Sequence, residues 1–274
     1  MSIKTITLDT MTMVRRDALH SVRNPMLSIS GILLPVIFLL LFDGVFGGSM
    51  AKALGAGAAA LPYIVYITPG IILMAVGSSV SGTAINTTID KGEGIIARFR
   101  TMAIARTSVL TGAVIVAVLR TMAGILFVLA VAFVLGFRSR AGALQWAEAI
   151  GFIAMFLLAL TWLGVAIGLF ASSAAGANSL GLIASLLPLV SSAILPTDSM
   201  PAGVRWFAEH QPYTPIIETL RALLMGTGVG SNGVIAAAWC LVIGVVSYLW
   251  ARHLYNRDPS RQAGPSVAQL MSTH

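Results

Sequence analysis

The sequence predicts an all-α membrane protein. It has about six transmembrane helices, an N-terminal interfacial amphipathic helix, a short cytoplasmic helix between the second and third spans, and a re-entrant helix pair before the last span. Three observations predict this. Of the 274 residues, 57% are apolar and only 10% are charged, where a soluble domain carries roughly a quarter charged residues. Mean hydropathy is +0.89. The apolar residues come in runs long enough to cross a hydrocarbon core of roughly 30 Å. So much apolar surface cannot be hidden inside a particle of this size and must face lipid. The net charge of +7 would suggest nucleic acid in a soluble protein. Here the basic residues sit in loops and at the ends of apolar runs, where topology and anionic headgroups account for them, and no nucleic-acid partner is expected.

Residues 1–25 form the interfacial segment: Met11, Val14, Ala18 and Val22 recur at helical spacing, with Arg15, Arg16, His20 and Arg23 on other faces, the pattern of a basic helix lying in the headgroup plane. Asn24-Pro25 breaks it. The first apolar run starts only after Pro25 and shows no clear small-x-small cleavage site, so it is expected to be a retained span and not a cleavable leader. Span 1 covers about Ser28 to Phe46, with Pro35 expected to kink it, and Gly47, Gly48, Gly55 and Gly57 make a loop. Span 2 covers about Leu61 to Asn86, with an expected break at Pro69-Gly70. Span 3 runs from about Ser108 to Phe137, span 4 from Leu144 to Phe170, span 5 from Ala177 to Leu195 with Pro188 inside, and span 6 from Val234 to Tyr255. The run Ala171 to Gly176, all Ala, Ser and Gly, suits close approach of spans 4 and 5. The stretch 196–230 holds Pro196, Pro201, Pro212 and Pro215. Its two apolar pieces, around Trp206-Phe207 and from Ile216 to Met225, are each too short to span, which fits two helices that dip in and return. A plain external loop is the alternative. Residues 1–257 make one membrane domain, and 258–274 form a polar tail.

Six spans place the N-terminus, the loop 87–107, the turn 171–176 and the C-terminus on one side. That side carries eleven Lys and Arg and the other carries five, with Arg120 inside span 3. Both termini are therefore expected in the cytoplasm of a multi-pass protein.

Three segments stand out for function. In the loop 90–106, Ile95, Phe99 and Met102 fall on one face of a short helix, Arg98, Arg100 and Arg106 lie off it, and Asp90 and Glu93 suit its N-terminus. A helix held between two long spans could pass a partner's motion to both; an ordinary basic loop is the alternative. Arg120 lies about twelve residues into span 3, where an ionised side chain is costly and usually faces an interior or a cavity. It could line a substrate path, pair with Asp43 or Glu148, or snorkel to the surface. In the proline-rich stretch, Asp198, Arg205, Glu209, Glu218 and Arg221 could gate an outward exit or simply pair with one another.

Several chemistries have no signal. There is no G-x-x-x-x-G-K-[ST] phosphate loop and no G-x-S-x-G nucleophile motif. The four histidines are far apart in sequence and form no metal spacing. The single cysteine, Cys240, excludes an intrachain disulfide. Acidic residues inside the spans are too sparse for an obvious ion relay, so a partner-driven transporter is favoured over an ion-gradient-driven secondary transporter. A non-transport membrane assembly protein is a further alternative.

The chain resembles the membrane subunits of ABC-2 type exporters, and among them the daunorubicin-resistance-like permeases of actinobacteria. Three stretches over residues 10–257 carry the resemblance. They are Arg23-Asn24-Pro25 followed by Leu34-Pro35 through Phe42; Lys91-Gly92-Glu93-Gly94-Ile95-Ile96-Ala97-Arg98-Phe99-Arg100 with Ala105-Arg106; and Leu195-Pro196, Met200-Pro201, Gln211-Pro212-Tyr213-Thr214-Pro215 and Glu218 to Arg221. Ala103 and Gln211 depart from the proline and asparagine common in that family. The resemblance implies a coupling helix at 92–105 that docks on a cytoplasmic ATP-binding subunit through Glu93, Gly94, Ile95, Arg98, Phe99, Arg100, Met102 and Arg106. On the residues' own reading, Pro196, Pro212, Glu218 and Arg221, with Arg120, are the expected substrate path or gate. The resemblance further implies two permease copies with two ATPase subunits in the cell membrane, an amphipathic drug or lipid-like substrate moving outward, no catalytic, metal or cofactor site in this chain, and ATP and Mg held by the partner.

Overall fold

A computed structural model of the chain describes residues 25–48, 62–93 and 106–256, with side chains from 32 onward in the first stretch and from 111 onward in the third. The expected interfacial helix, most of the glycine-bearing loop, the segment 94–105 and the C-terminal tail lie outside the described residues. Within them the protein is all-helical, with eight α-helices and no strand. These are α1 (Pro25–Leu41), α2 (Tyr63–Gly92), α3 (Arg106–Val134), α4 (Ala143–Phe170), α5 (Ala174–Leu186), α6 (Ala202–His210), α7 (Tyr213–Met225) and α8 (Gly230–Asn256). Four are long and apolar enough to cross a bilayer: α2, α3 from Thr111, α4 and α8. Two shorter apolar helices, Ile32–Phe46 and Ala174–Val190, stand where spans 1 and 5 were expected.

Several local expectations change. Pro35 lies inside α1, which runs on into a π-helical turn at Phe42–Phe46. Phe38, Phe42 and Phe46 stack there, with successive ring centroids 5.8 Å apart. Helical backbone continues through Gly48, so Gly47 and Gly48 are helical where the sequence suggests a loop. Pro69-Gly70 does not break span 2, because α2 is one helix of 30 residues, about 45 Å long. Span 5 is shorter than expected: α5 stops at Leu186, and Pro188 falls in a 3-10 turn, Leu187–Val190. Two short helices do occupy the proline-rich stretch, α6 and α7, each preceded by a proline, Pro201 and Pro212.

The bundle is organised around α2. Helices α1, α3, α4, α5 and α7 all pack on it, and α8 lies outside, against α4 and α7. The most apolar window of α2 is 89% buried, against 22% for α8. The outer helices leave Leu126, Phe127, Leu241, Val245 and Val246 bare, as lipid-facing positions require. Backbones approach closely where glycine allows. A Cβ at Gly168 of α4 would lie 2.6 Å from the Ala84 carbonyl of α2, and one at Gly164 would lie 2.8 Å from that of Val80. One at Gly77 of α2 would lie 2.7 Å from the Ala184 carbonyl of α5. One at Gly181 would overlap Ser81. The close approaches therefore join α2 to α4 and α2 to α5. The small-residue run 171–176, expected to bring α4 and α5 together, is instead mainly the turn between them, where the Ser173 hydroxyl caps α5 by accepting from the Gly176 N–H at 3.1 Å.

Candidate functional site

The two ends of α2 hold the polar chemistry. At the first end, the start of α3 meets the ends of α4 and α8, where Val114, Leu169, Ala251 and Tyr255 share one small buried cluster. Lys91 reaches from the last turn of α2 to α4, donating to the Leu169 carbonyl at 2.8 Å and to that of Ala171 at 2.9 Å. The last carbonyls of a helix have no partner within it and carry its negative dipole end, so an ammonium there satisfies both. Thr88 adds a second tie, donating to the Gly168 carbonyl at 3.0 Å. Glu93 is exposed and caps α2, its N–H donating to the Ile89 carbonyl. Arg106 opens α3. The remaining docking candidates, Gly94, Ile95, Arg98, Phe99, Arg100 and Met102, lie outside the described residues, in the connection whose two ends these elements fix. Replacing Lys91 with alanine should lower stability by about 1 kcal/mol, visible in thermal unfolding of the solubilised chain, and Lys91→Arg should recover most of it.

At the opposite end, Arg221 of α7 forms a clamp. Its Nη1 meets Glu218 Oε1 at 2.6 Å, and its Nη2 donates to the carbonyls of Ser192 at 2.8 Å and Tyr66 at 3.2 Å. The guanidinium lies 3.8 Å over the ring of Tyr66, whose hydroxyl also donates to the Ser192 carbonyl at 3.1 Å. One cation thus ties α7, the first turn of α2 and the turn after α5. Arg221 adds a charged donor to a main-chain carbonyl in the first turn of α2. Tyr63 donates to Ile194 at 3.1 Å and Tyr213 to Ala184 at 2.7 Å, extending the network. Pro212 starts α7, and Pro196 opens a 3-10 turn at Thr197–Ser199. Asp198 and Glu209 both pair with Arg205, at 2.7 and 2.8 Å on the surface. The charged residues of this stretch thus pair locally, and only the Arg221 pair reaches into the bundle.

Between the ends lies Arg120. It is half-buried on α3, with Nη2 about where it would touch a Cβ on Gly82 of α2, at 3.5 Å. It pairs with neither Asp43 nor Glu148, and among the described residues the three ion pairs all belong to Arg205 and Arg221. No group of His, Cys, Asp and Glu among the described residues could hold a metal ion. Cys240 is buried.

Sequence reasoning missed three elements here. Gly164-x-x-x-Gly168 was a readable small-residue motif. The Lys91 latch was not readable, because a lysine at a helix end is also what the topology rule demands. Nor was the part of Tyr66, which looks like any interfacial aromatic.

An apolar bundle around one buried helix, with four helices long and apolar enough to cross a bilayer, is the architecture of a multi-pass membrane protein. The sequence model of ABC-2 type transporters matches residues 9–225, and the chain belongs to that family. Two relatives agree. The daunorubicin resistance ABC transporter permease protein DrrB1 of Streptomyces coeruleorubidus is 27% identical over 239 residues, covering 85% of this chain and 81% of the relative. The probable doxorubicin resistance ABC transporter permease protein DrrC of Mycobacterium tuberculosis is 25% identical over 225 residues, covering 80% and 77%. The chain is a transmembrane permease subunit of an ABC exporter.

Proposed function

We propose that this permease moves amphipathic drug or lipid-like molecules outward across the cell membrane, driven by a cytoplasmic ATPase subunit that grips the segment 92–105. The assembly is two permease copies with two ATPase subunits, and ATP and Mg bind only to the latter. Each permease crosses six times, with α1 and α5 completing the two shorter crossings, both termini in the cytoplasm, and α6 and α7 as a re-entrant pair at the outer face.

The observation that carries this reading is α2 itself. It is the most buried span, it ends at Glu93 where the docking segment begins, and its other end is held by Arg221. Helices in a packed bundle move as rigid bodies. A push on 92–105 therefore travels about 45 Å along α2 to the outer clamp, with Lys91 carrying α4 along. Arg221, Glu218, Pro196 and Pro212 form the outer gate, and Arg120 lines the path. Relatives named for daunorubicin and doxorubicin resistance support an amphipathic substrate.

The test is charge reversal at the docking helix. In vesicles holding permease and ATPase, Arg98→Glu with Arg100→Glu should cut ATP-driven transport at least tenfold, while ATP hydrolysis by the free ATPase is unaltered. Normal transport by this variant would remove the docking claim.

A further inference from the structure

The most buried helix of the bundle leaves one stripe open. Ser78 and Gly82 are half-buried, Ile85 is half-buried, and Asn86 and Ile89 are exposed, positions that fall on a single face at helical spacing. A stripe meant for lipid would be apolar throughout. This one carries a hydroxyl, an amide and a bare glycine, and the guanidinium of Arg120 lies against that glycine. Arg120 stands halfway along the 29 residues of α3, Arg106–Val134, a helix about 43 Å long at 1.5 Å per residue, and so near the middle of a core of roughly 30 Å. Neither Arg120 nor Gly82 is near a carboxylate in any ion pair among the described residues. An arginine keeps its charge at that depth, so the stripe holds a fixed cation whose five donors meet no hydrogen-bond acceptor among the described residues. Ile89 on the same stripe is 44% exposed and Leu119, which precedes Arg120 on α3, is 60% exposed, so both helices also present open apolar surface.

We propose that this groove binds the anionic headgroup, phosphate or carboxylate, of a membrane amphiphile, with Arg120 as the charge-recognising residue and Ser78, Gly82 and Asn86 as the polar wall. The proposal rests on the transport reading for its purpose but not for its chemistry. A planar guanidinium forms paired hydrogen bonds with phosphate or carboxylate oxygens, and the absence of a side chain at Gly82 leaves space for the headgroup beside it.

Binding to the full-length permease, copurified with its ATPase subunit and without ATP, tests this. The probes are fluorescent phosphatidic acid, fluorescent oleate, fluorescent phosphatidylcholine and inorganic phosphate. The two anionic amphiphiles should bind, and phosphatidylcholine should bind at least tenfold more weakly. Arg120→Gln should weaken phosphatidic acid by tenfold or more and leave phosphatidylcholine unchanged, while Arg120→Lys should retain part of the affinity. Gly82→Asp keeps Arg120 but puts a carboxylate beside it, and should abolish anion binding without lowering thermal stability. Unchanged phosphatidic acid binding in both Arg120→Gln and Gly82→Asp overturns the site. Inorganic phosphate competing as well as phosphatidic acid overturns the amphiphile assignment. A change of oligomeric state in Arg120→Gln, with headgroup selectivity intact, means that a second copy occupies the groove and also overturns it. Headgroup selectivity that holds while ATP drives no transport would instead count against the exporter mechanism and leave the groove standing.

Discussion

Leucine at Gly181 should leave little folded permease. A Cβ there would overlap Ser81, with the backbone nitrogen of Ser81 at 2.8 Å, so even alanine demands that one helix move. The obstacle is main chain, which has no rotamer to yield. Overpacking an interior costs about 1–3 kcal/mol and sometimes more, and this site adds the loss of the hydrogen bond from Ser81 Oγ to Asn178 Oδ1 at 2.5 Å as α5 lifts from α2. An effect of about 3 kcal/mol or more is expected for Gly181→Leu. Detergent-solubilised protein should elute as aggregate, or melt well below the parent, and Gly181→Ala should fall between. Gly168→Leu should behave similarly, since its Cβ would lie 2.6 Å from both the Ala84 carbonyl and Thr87 Cβ. The control is Gly151→Leu: that glycine is exposed on α4 with nothing within 4 Å, and leucine there adds only lipid-facing surface. If Gly181→Leu elutes and melts like Gly151→Leu, the close packing of α5 on α2 is not what holds the bundle.

The contrast between Gly151 and Gly181 also shows what a sequence can and cannot carry. Lipid imposes one strong requirement, a run of apolar residues of sufficient length, and it marks α2, α3, α4 and α8 to within a few residues of the expected spans. It also marks the proline-rich stretch as something else, which the structure resolves into α6 and α7. The same solvent that makes spans legible makes their neighbours illegible. Every face of a span can be apolar, so periodicity does not say which face meets protein, and Gly151, Gly168 and Gly181 look alike. Proline signals were equally ambiguous. Pro69 sits inside an unbroken α2 of 30 residues, whereas Pro188 falls where α5 gives way to a 3-10 turn. Of the site residues, Arg221 with Glu218 was legible as a pair at helical spacing, but its contacts with Tyr66 and Ser192 span 155 and 29 residues and left no local trace.

That long reach is why Arg221 should have the largest functional effect of any side chain at the outer end. Methionine keeps much of its length and removes the charge and all its donors. The Tyr66 and Ser192 carbonyls then lose a charged partner in a setting where Arg221 itself is only 14% exposed, and Glu218, 35% exposed, loses its cation. Breaking a fully buried pair costs about 3–5 kcal/mol. Partial exposure of Glu218 allows water to offset some of it, so about 2 kcal/mol is the expected fall in stability. The functional change should exceed what that fall explains. With α7, the first turn of α2 and the turn after α5 no longer tied, the contact that the proposed mechanism assigns to the closed outer gate is lost, and on that mechanism vesicles holding the complex should leak a trapped amphipathic dye without ATP. Arg221→Lys should leak too, because one ammonium cannot serve Glu218, Tyr66 and Ser192 together while covering the Tyr66 ring. Arg221→Met combined with Glu218→Gln separates the two contributions. Removing the stranded carboxylate should restore part of the thermal stability and none of the seal, since the ties to Tyr66 and Ser192 are still missing. A double variant that regains both would place the gate elsewhere and reduce Arg221 to a partner for one carboxylate.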